Sequence, residues 1–384
     1  MEQNQILKRY GTDYKKMTKE LLEAADLIGL VSDHDCRIGI KPNLVAPADA
    51  SWGATTHPEI VAGIIEYLQD HCCRNLVIAE GSWVGDRTEE SFEVCGYRKL
   101  SEQYGVPLLD AQKATHFIKD CDGLKLELCS CVKDIDFLIN VPVLKGHCQT
   151  KITCALKNMK GLLPNTEKRH FHAMGLHRPI AHLAKGIRQD FIVVDHICGD
   201  LDFEDGGNPV VKNCIMVSRD PVLVDTYVCG LLHYGFEEVP YIQMAEQLGA
   251  GSTDLEHAKI GVLADEGTYY LEGSAIWDEE LPYADKVVAV QDLVQEVESC
   301  SACYGYLLPA LDRLRKEGLL EQLGEKICIG QGYRGKHGKL GVGNCTSGFD
   351  FCVKGCPPTE TEIYEALKRY IVLRSEEHTS ELQS

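Results

Sequence analysis

The sequence lacks any long run of apolar residues. None of its stretches stays apolar for the roughly 18 residues that a membrane-spanning helix needs. Residues 1–30 begin polar, carry Lys15, Lys16 and Lys19 among their cations, and contain neither the apolar core nor the small-residue cleavage site of a secretory signal. These absences predict a cytoplasmic protein without a membrane partner.

Positive charge is also scarce. The chain has 39 Lys and Arg against 58 Asp and Glu, which gives a formal net charge of −19. Because such a surface repels phosphate backbones, we expect no nucleic-acid partner. An anionic small molecule would have to find a local cluster of cations.

Short β-branched runs alternate with helical patterns along most of the 384 residues. The strand candidates are 37–40, 76–79, 137–141, 191–194 and 214–217. The helix candidates are an amphipathic stretch at 14–29, then 58–71, 151–159, 178–187, 221–233 and 240–248. This alternation predicts an α/β fold with a mostly parallel sheet covered by helices.

The pattern divides the chain into segments. We expect an N-terminal helical segment at 1–35, an α/β domain at 36–265, and a second, smaller cysteine-rich α/β domain at 286–372. In the smaller domain, 286–290, 326–329 and 339–342 are predicted strands, and 302–316 and 359–370 are predicted helices. Residues 374–384 match the translation of a sequencing-library adapter, so we set them aside as an artefact.

Four cysteines of the smaller domain form a pattern typical of metal sites. Cys300 and Cys303 open a predicted helix, Cys345 follows a glycine and an asparagine, and Cys356 stands in Gly-Cys-Pro-Pro. Without a secretory signal, we interpret the 18 cysteines as reduced thiols rather than disulfides. Four thiolates with glycine and proline beside them suit a 4Fe-4S cluster.

Other interpretations of these cysteines stay open. Zinc also takes four thiolates, although usually in two Cys-x-x-Cys pairs, and the thiols could simply be core residues. Cys328 and Cys352 could replace a ligand. The motif resembles the proximal 4Fe-4S site in the small subunit of nickel–iron hydrogenases and in the related subunit of respiratory complex I.

The larger domain carries an unusual concentration of lysine and histidine. The proposed catalytic residues are Lys145, His147, Lys157 and His172. In a helix over 151–159, Thr153 and Lys157 would share one face with Lys160. Neighbouring cations lower the pKa of a lysine and so suit it to act as a base, whereas a solvated lysine face is the alternative.

Further polar residues follow predicted strands or begin predicted helices, where ligands of parallel sheets bind. The proposed ligand-binding residues are Lys41, Asn43, Thr55, Thr56, Glu80, Asn158, Lys160, Gly161 and Asp225. Asp225 is either a carboxylate one turn into a helix that Asp220 caps, or a partner for a lysine. His170 and His172 could bind a metal, although such a pair is more often polar surface.

Several of these motifs occur in a fixed order that resembles a known family. They are Lys41-Pro-Asn-Leu, Thr55-Thr-His-Pro-Glu, Ile139-Asn-Val-Pro-Val-Leu-Lys-Gly-His147, Thr153-Cys-Ala-Leu-Lys-Asn-Met-Lys-Gly161, His170-Phe-His and Arg219-Asp-Pro-Val-Leu-Val-Asp225. Over roughly 36–255 they resemble the domain of unknown function 362 family. The resemblance implies association with iron–sulfur modules, but the ferredoxin-type cysteine run of many members is absent here.

These observations favour an iron–sulfur oxidoreductase or electron-transfer component, with a redox partner protein and an anionic small molecule as partners. An alternative is a non-redox lyase or isomerase acting on a carboxylate or phosphate ester, with structural cysteines that hold zinc or a cluster. A third hypothesis is a scaffold that delivers clusters.

Overall fold

The computed structural model describes residues 1–277 and 281–381. The chain divides into two compact units, Met1–Tyr283 and Ala284–Ser384. No helix in the described ranges is long and apolar enough to cross a bilayer.

The first unit is built on one nine-stranded sheet and two small hairpins. Its strands are β1 (Gln5–Tyr10), β2 (Ile38–Pro42), β3 (Leu76–Glu80), β4 (Leu108–Asp110), β5 (His116–Asp120), β6 (Lys125–Cys129), β7 (Phe137–Val141), β8 (Lys145–His147), β9 (Lys151–Thr153), β10 (Phe191–Asp200), β11 (Pro209–Ser218), β12 (Lys259–Ala264) and β13 (Gly267–Tyr270). The sheet order is β13-β12-β1-β11-β10-β7-β2-β3-β4. Strands β5 with β6 and β8 with β9 form the hairpins.

One half of this sheet is entirely parallel. Strands β10, β7, β2, β3 and β4 pair in parallel, whereas β11 and β13 run antiparallel to their neighbours. Strands β2, β3, β7 and β10 are buried along their whole length, as expected when helices cover both faces of a sheet. The predicted α/β fold with a mostly parallel sheet is confirmed.

Helices cover the two faces of the sheet and create two apolar cores. They are α1 (Tyr14–Ala24), α2 (Leu27–Leu30), α3 (Pro58–Asp70), α4 (Thr88–Val94), α5 (Tyr97–Tyr104), α6 (Ala155–Asn158), α7 (Asn165–Ala173), α8 (His177–Gly186), α9 (Pro221–Leu231) and α10 (Pro240–Gln247). One core lies under α1 and α3, and the other lies under α8, α9 and α10. Asp220 caps α9 by accepting from the N–H groups of Val222 and Leu223, as the sequence predicted.

Three predicted elements are wrong. The helix over 151–159 is instead β9 followed by the short α6, because Lys151 has a φ of +64° and its strand pairs with β8. Residues 1–35 are not only helical, since β1 joins the sheet between β11 and β12. The strand over 286–290 is also wrong, because Val288–Gln291 forms a short helix.

The second unit is a parallel four-stranded sheet with helices. Its elements are α11 (Val288–Gln291), β14 (Val294–Glu296), α12 (Ser301–Lys316), β15 (Ile327–Ile329), β16 (Leu340–Val342), β17 (Phe351–Val353) and α13 (Glu360–Glu381). The strands pair in the order in which they occur along the chain. Helices α12 and α13 contact each other through Arg313, which lies 3.8 Å from the centre of the Tyr364 ring and 3.0 Å from Glu360. The residues that we set aside as an artefact begin within α13, and 382–384 lie outside the described residues.

Candidate functional site

A buried ion pair lies at the carboxyl ends of β2 and β3. Lys41 Nζ donates to Glu80 Oε2 at 2.8 Å and to the Pro42 carbonyl at 2.7 Å. Glu80 also accepts from the main-chain N–H groups of Leu44 and Gly81. Burial lowers the pKa of Lys41, and Glu80 opposes this shift. Both side chains are therefore fully paired within the protein.

Gly161 approaches this pair so closely that no side chain fits. A Cβ at residue 161 would lie 2.1 Å from Glu80 Oε1 and 2.6 Å from Lys41 Nζ. The glycine is needed because the backbone after α6 runs directly over the two charges. Its role is therefore close packing against Lys41 and Glu80.

Side-chain amides extend the hydrogen-bond network of this ion pair to β7. Asn158 Oδ1 accepts from Lys41 Nζ at 3.3 Å, and its amide donates to Asn140 Oδ1 at 2.7 Å. Asn140 in turn donates to Gln189 Oε1 at 2.6 Å and to the Ala155 carbonyl. These contacts fix α6 against β2 and β7, so Asn158 is a structural residue as well as a ligand-binding candidate.

Lys168 on α7 is a further buried cation beside this network. Its Nζ donates to the carbonyl oxygens of Gly81 at 2.9 Å and Ser82 at 2.7 Å. Burial lowers the pKa of Lys168 to about 8, with Glu80 opposing and Lys41 adding to the shift. This lysine is not among the site residues predicted from the sequence, although its position two residues before His170 could have suggested it.

A second cluster gathers around Lys145 on β8. Lys145 Nζ donates to the carbonyl oxygens of Ala54 at 2.5 Å and Glu204 at 2.7 Å. Burial, together with the nearby charge of Lys157, lowers the pKa of Lys145 to about 7. Burial also lowers the pKa of Lys157 to about 8, and its Nζ lies 3.3 Å from Thr153 Oγ1. Both amines therefore change charge near neutral pH.

Two histidines lie beside these lysines. Burial lowers the pKa of His147 well below its usual value, and Lys157 and Lys160 add to this shift. The pKa of His172 is lowered well below its usual value by burial and by the same two lysines. Lys160 Nζ also lies 5.7 Å from the centre of the Phe171 ring. The structure thus brings Lys145, His147, Lys157, Lys160 and His172 into one electrostatic cluster.

Hydrogen bonds fix the protonation of His147. Its Nδ1 accepts from the N–H groups of Gln149 at 3.0 Å and Thr150 at 3.3 Å. A nitrogen that accepts from N–H groups carries no proton, so the neutral ring, assigned from these bonds, holds its proton on Nε2. Nε2 lies 3.4 Å from Glu204 Oε1. His147 therefore presents a proton donor to the cluster.

Glu204, which the sequence analysis missed, forms a group with His147 and Cys148. Cys148 Sγ lies 3.1 Å from Glu204 Oε1, and one ligand atom from each of the three residues lies within 4.8 Å of the others. The group could share a metal ion by distance alone. A metal ion there would displace the proton that the bonds to Nδ1 assign to Nε2. Glu204 accepts from the main-chain N–H and the thiol of Cys148, whereas His147 Nε2 has no hydrogen-bond partner among the described residues.

The remaining predicted residues of the first unit have local partners. Thr56 Oγ1 donates to the Val141 carbonyl and accepts from Asn43 N–H, and Thr55 Oγ1 donates to the Ala48 carbonyl. Asp225 accepts from the N–H groups of α6 at Ala155 and Leu156, rather than pairing with a lysine. These threonines and Asp225 therefore hold the loops and α6 in position.

The four predicted cysteines of the second unit are electrostatic neighbours. Burial and the nearby thiols of Cys300, Cys356 and Cys345 raise the pKa of Cys303 to about 12. A Cβ at Gly343 would lie 3.5 Å from Cys303 Sγ, so the loop that carries Cys345 passes beside that sulfur. A hydrogen bond from Arg334 to the Cys345 sulfur raises the pKa of the guanidinium.

The two spare thiols, Cys352 and Cys328, have other polar contacts. Cys352 Sγ contacts Thr346 Oγ1 at 3.4 Å and the Gly343 carbonyl at 3.5 Å. Cys328 Sγ contacts Gln295 Oε1 at 3.5 Å. Neither contributes to the pKa of Cys303, whereas the three thiols selected from the sequence do.

One tetrahedral zinc ion at about 2.3 Å from each sulfur would need the sulfurs at about 4 Å from one another. Over the ranges that the structure describes, the only set of three or more ligand atoms close enough to share one ion is that of His147, Cys148 and Glu204.

Comparison with known proteins gives a family and distant relatives. The model of the family described as Domain of unknown function (DUF362) matches residues 38–230. A thylakoid-associated protein of Synechocystis sp. is 24% identical over 246 residues, which are 62% of this chain and 76% of that protein.

Two solved structures resemble part of this chain at low similarity. Lactate racemase apoprotein from Thermoanaerobacterium thermosaccharolyticum has a TM-score of 0.41 at 15% identity, over 59% of this chain and 57% of its own. A protein from Thermotoga maritima has a TM-score of 0.36 at 12% identity, over 63% of this chain and 60% of its own. This chain thus spans less than two thirds of either structure.

Proposed function

The chain belongs to the DUF362 family, and from this premise we propose that it is an iron–sulfur protein acting as an oxidoreductase or electron-transfer component. In this proposal Cys300, Cys303, Cys345 and Cys356 hold a 4Fe-4S cluster in the second unit. A lysine-rich site in the first unit binds an anionic small molecule. A redox partner protein exchanges electrons with the cluster.

The single observation that carries the proposal is the convergence of these thiols. The other three thiols raise the pKa of Cys303, and they come from the start of α12 and from two separate loops. Thiolates are the ligands that iron–sulfur clusters require, and glycine at 343 leaves room for the backbone beside Cys303 Sγ. Arg334 beside Cys345 would supply positive charge, which favours the more negative, reduced state of a bound cluster.

The cluster would supply one-electron transfer, and the first unit would bind the ligand. Lys145, Lys157 and Lys160 provide positive charge for an anion in an otherwise acidic protein. His147 can donate the proton on Nε2, and an amine with a pKa of about 7 or 8 can accept or return a proton near neutral pH.

The test is the iron and acid-labile sulfide content of protein purified without oxygen, together with its visible absorption. We expect iron, sulfide and broad absorption in the wild type, and loss of all three in Cys303→Ser. Cys328→Ser is the matched control, because it removes a thiol of the same unit that does not contribute to the raised pKa of Cys303. Colourless protein that contains zinc or no metal would overturn the proposal.

A non-redox lyase or isomerase is the second candidate. The observation that favours it is the pairing of Lys145, whose pKa is about 7, with a neutral His147 that donates from Nε2. Such a base and acid can move a proton next to a carboxylate without electron transfer. Under this hypothesis Cys303→Ser would keep its turnover, whereas Lys145→Met would lose it.

A further inference from the structure

A second set of reactive side chains lies outside the lysine cluster, between β10 and the start of α3. Asp195 and Cys198 are both on β10, three residues apart, so a regular strand would point them to opposite faces. The pairing with β11 shifts between His196 and Cys198, and this irregularity returns Cys198 to the side of Asp195. His57, the residue before α3, lies between them.

Asp195 fixes the ring of His57. Asp195 Oδ2 accepts from the main-chain N–H of His57 at 2.7 Å and lies 2.9 Å from its Nδ1. The other oxygen, Oδ1, accepts from Ile197 N–H at 3.1 Å. These bonds assign a proton to Nδ1 and leave Nε2 directed at Cys198.

The sulfur is within reach of the imidazole. Cys198 Sγ lies 4.0 Å from His57 Nε2 and 3.4 Å from the Ala50 carbonyl. Burial opposes protonation of His57, but Asp195 and Cys198 outweigh it and raise the pKa of His57 to about 10. The ring is therefore positively charged at neutral pH and presents a proton to the sulfur.

From this geometry we propose that Cys198, His57 and Asp195 form a nucleophile, proton carrier and orienting carboxylate for acyl transfer. With the thiol proton held on His57 Nε2, Sγ attacks the carbonyl carbon of an ester or thioester as a thiolate. A bond forms between Sγ and the acyl carbon, the bond to the leaving group breaks, and Nε2 returns the proton to that group. The products are acyl-Cys198 and the free alcohol or thiol.

Acyl transfer fits this set better than disulfide exchange. A departing alkoxide or thiolate needs a proton, and the imidazolium supplies one at the sulfur. Cys198 and His57 are 4% and 9% exposed, so only a small acyl group could enter. This inference does not depend on the cluster or on the lysine site.

The first experiment compares two thiols within the same molecule by native iodoacetamide labelling and peptide mass spectrometry. Cys95 is the internal control, because it is also 4% exposed and contacts the Ala48 carbonyl in the same loop, without a hydrogen bond to histidine. We expect Cys198 to react at least tenfold faster than Cys95. Equal rates, or no reaction of Cys198 in the folded protein, would overturn the proposal.

The second experiment tests His57 itself. The variant His57→Asn keeps a side-chain donor for Asp195 but removes Nε2, so labelling of Cys198 should fall to the rate of Cys95. If the variant loosens the loop, Cys95 also reacts faster, and the ratio of the two rates still reports the effect of the imidazole. A ratio unchanged from the wild type would contradict the assignment.

The acyl step is tested with p-nitrophenyl acetate as probe. We expect release of one p-nitrophenolate per protein and an acetyl group on the Cys198 peptide, absent in Cys198→Ser and strongly reduced in His57→Asn. Acetylation of other residues at the same rate would overturn the acyl-transfer role.

Discussion

The polar residues of the first unit and the thiols of the second unit differ in what surrounds them. Lys41, Glu80 and Lys168 are buried and bonded to groups of the chain itself. The thiol of Cys303 is instead surrounded by three other thiols, each of which raises its pKa. A network whose hydrogen bonds all end on groups of the chain should be tested by its effect on the stability of the fold. A thiol whose pKa its neighbouring thiols raise should be tested by the ligand that the set binds.

The largest expected effect follows from removing one half of the buried ion pair. Lys41→Met leaves Glu80 charged and buried without its cation, which should lower the free energy of unfolding by about 3 to 5 kcal/mol. Urea denaturation measures this loss. By contrast, Cys303→Ser should change the stability of metal-free protein far less, although the proposed cluster predicts that this variant loses iron binding.

The double variant Lys41→Met/Glu80→Leu sharpens this result. Removing both charges should recover much of the loss, because no uncompensated ion is left in the core. A single variant as stable as the wild type would mean that Lys41 is not part of the structural network.

A smaller loss should come from filling the space over the ion pair. Gly161→Ala places a methyl group against Glu80 Oε1 and should cost about 1 to 3 kcal/mol. This cost should shrink in part in a Glu80→Ala background, which removes the nearest atom that the methyl group meets but leaves Lys41. Gly175→Ala is the control, because its Cβ meets nothing within 4 Å and its cost should be independent of residue 80. Additive losses at 161 and 80 would contradict the contact.

The smallest effect is a pH dependence from Asp225. Burial raises the pKa of Asp225 to about 7, although the N–H bonds from α6 oppose this shift. The folded protein therefore binds a proton on Asp225 more tightly than the unfolded chain does. The stabilisation that protonated Asp225 contributes to the fold is therefore fully present below about pH 4 and is lost as pH rises to about 7. Over this window the free energy of unfolding changes by at most about 1.4 kcal/mol per pH unit. Unfolding of wild type and Asp225→Asn between these pH values measures it. A constant difference between the two proteins would refute the raised pKa.

Local patterns predicted the parallel half of the sheet well, because β2, β3 and β7 are short runs of mostly apolar residues. They failed at β9, where pairing with β8 overrides a helical spacing, and Lys151 adopts a positive φ that periodicity cannot signal. Strand β1 was missed because its partners lie more than 200 residues away. Strand pairing over such a distance cannot be predicted from a short window of sequence.

The candidate site was predicted in part. The lysines and histidines of the 145–172 segment do converge, because β8, α6 and α7 fold back onto the same edge of the sheet. Glu204 and Asn140 were missed, since each becomes meaningful only through a contact with a residue far along the chain. The contacts of Glu204 with Cys148 and of Asn140 with Asn158 are visible only in the structure.

The position of β1 has a consequence for how the first unit folds. Ile6 pairs with Ser218 on one side and with Ile260 on the other, so this strand alone connects β12 and β13 to the rest of the sheet. The sheet can be completed only after residues at both ends of the unit have been synthesised and have met. Such long-range closure is slow, and a chain lacking its first ten residues should leave β12 and β13 without a place to dock.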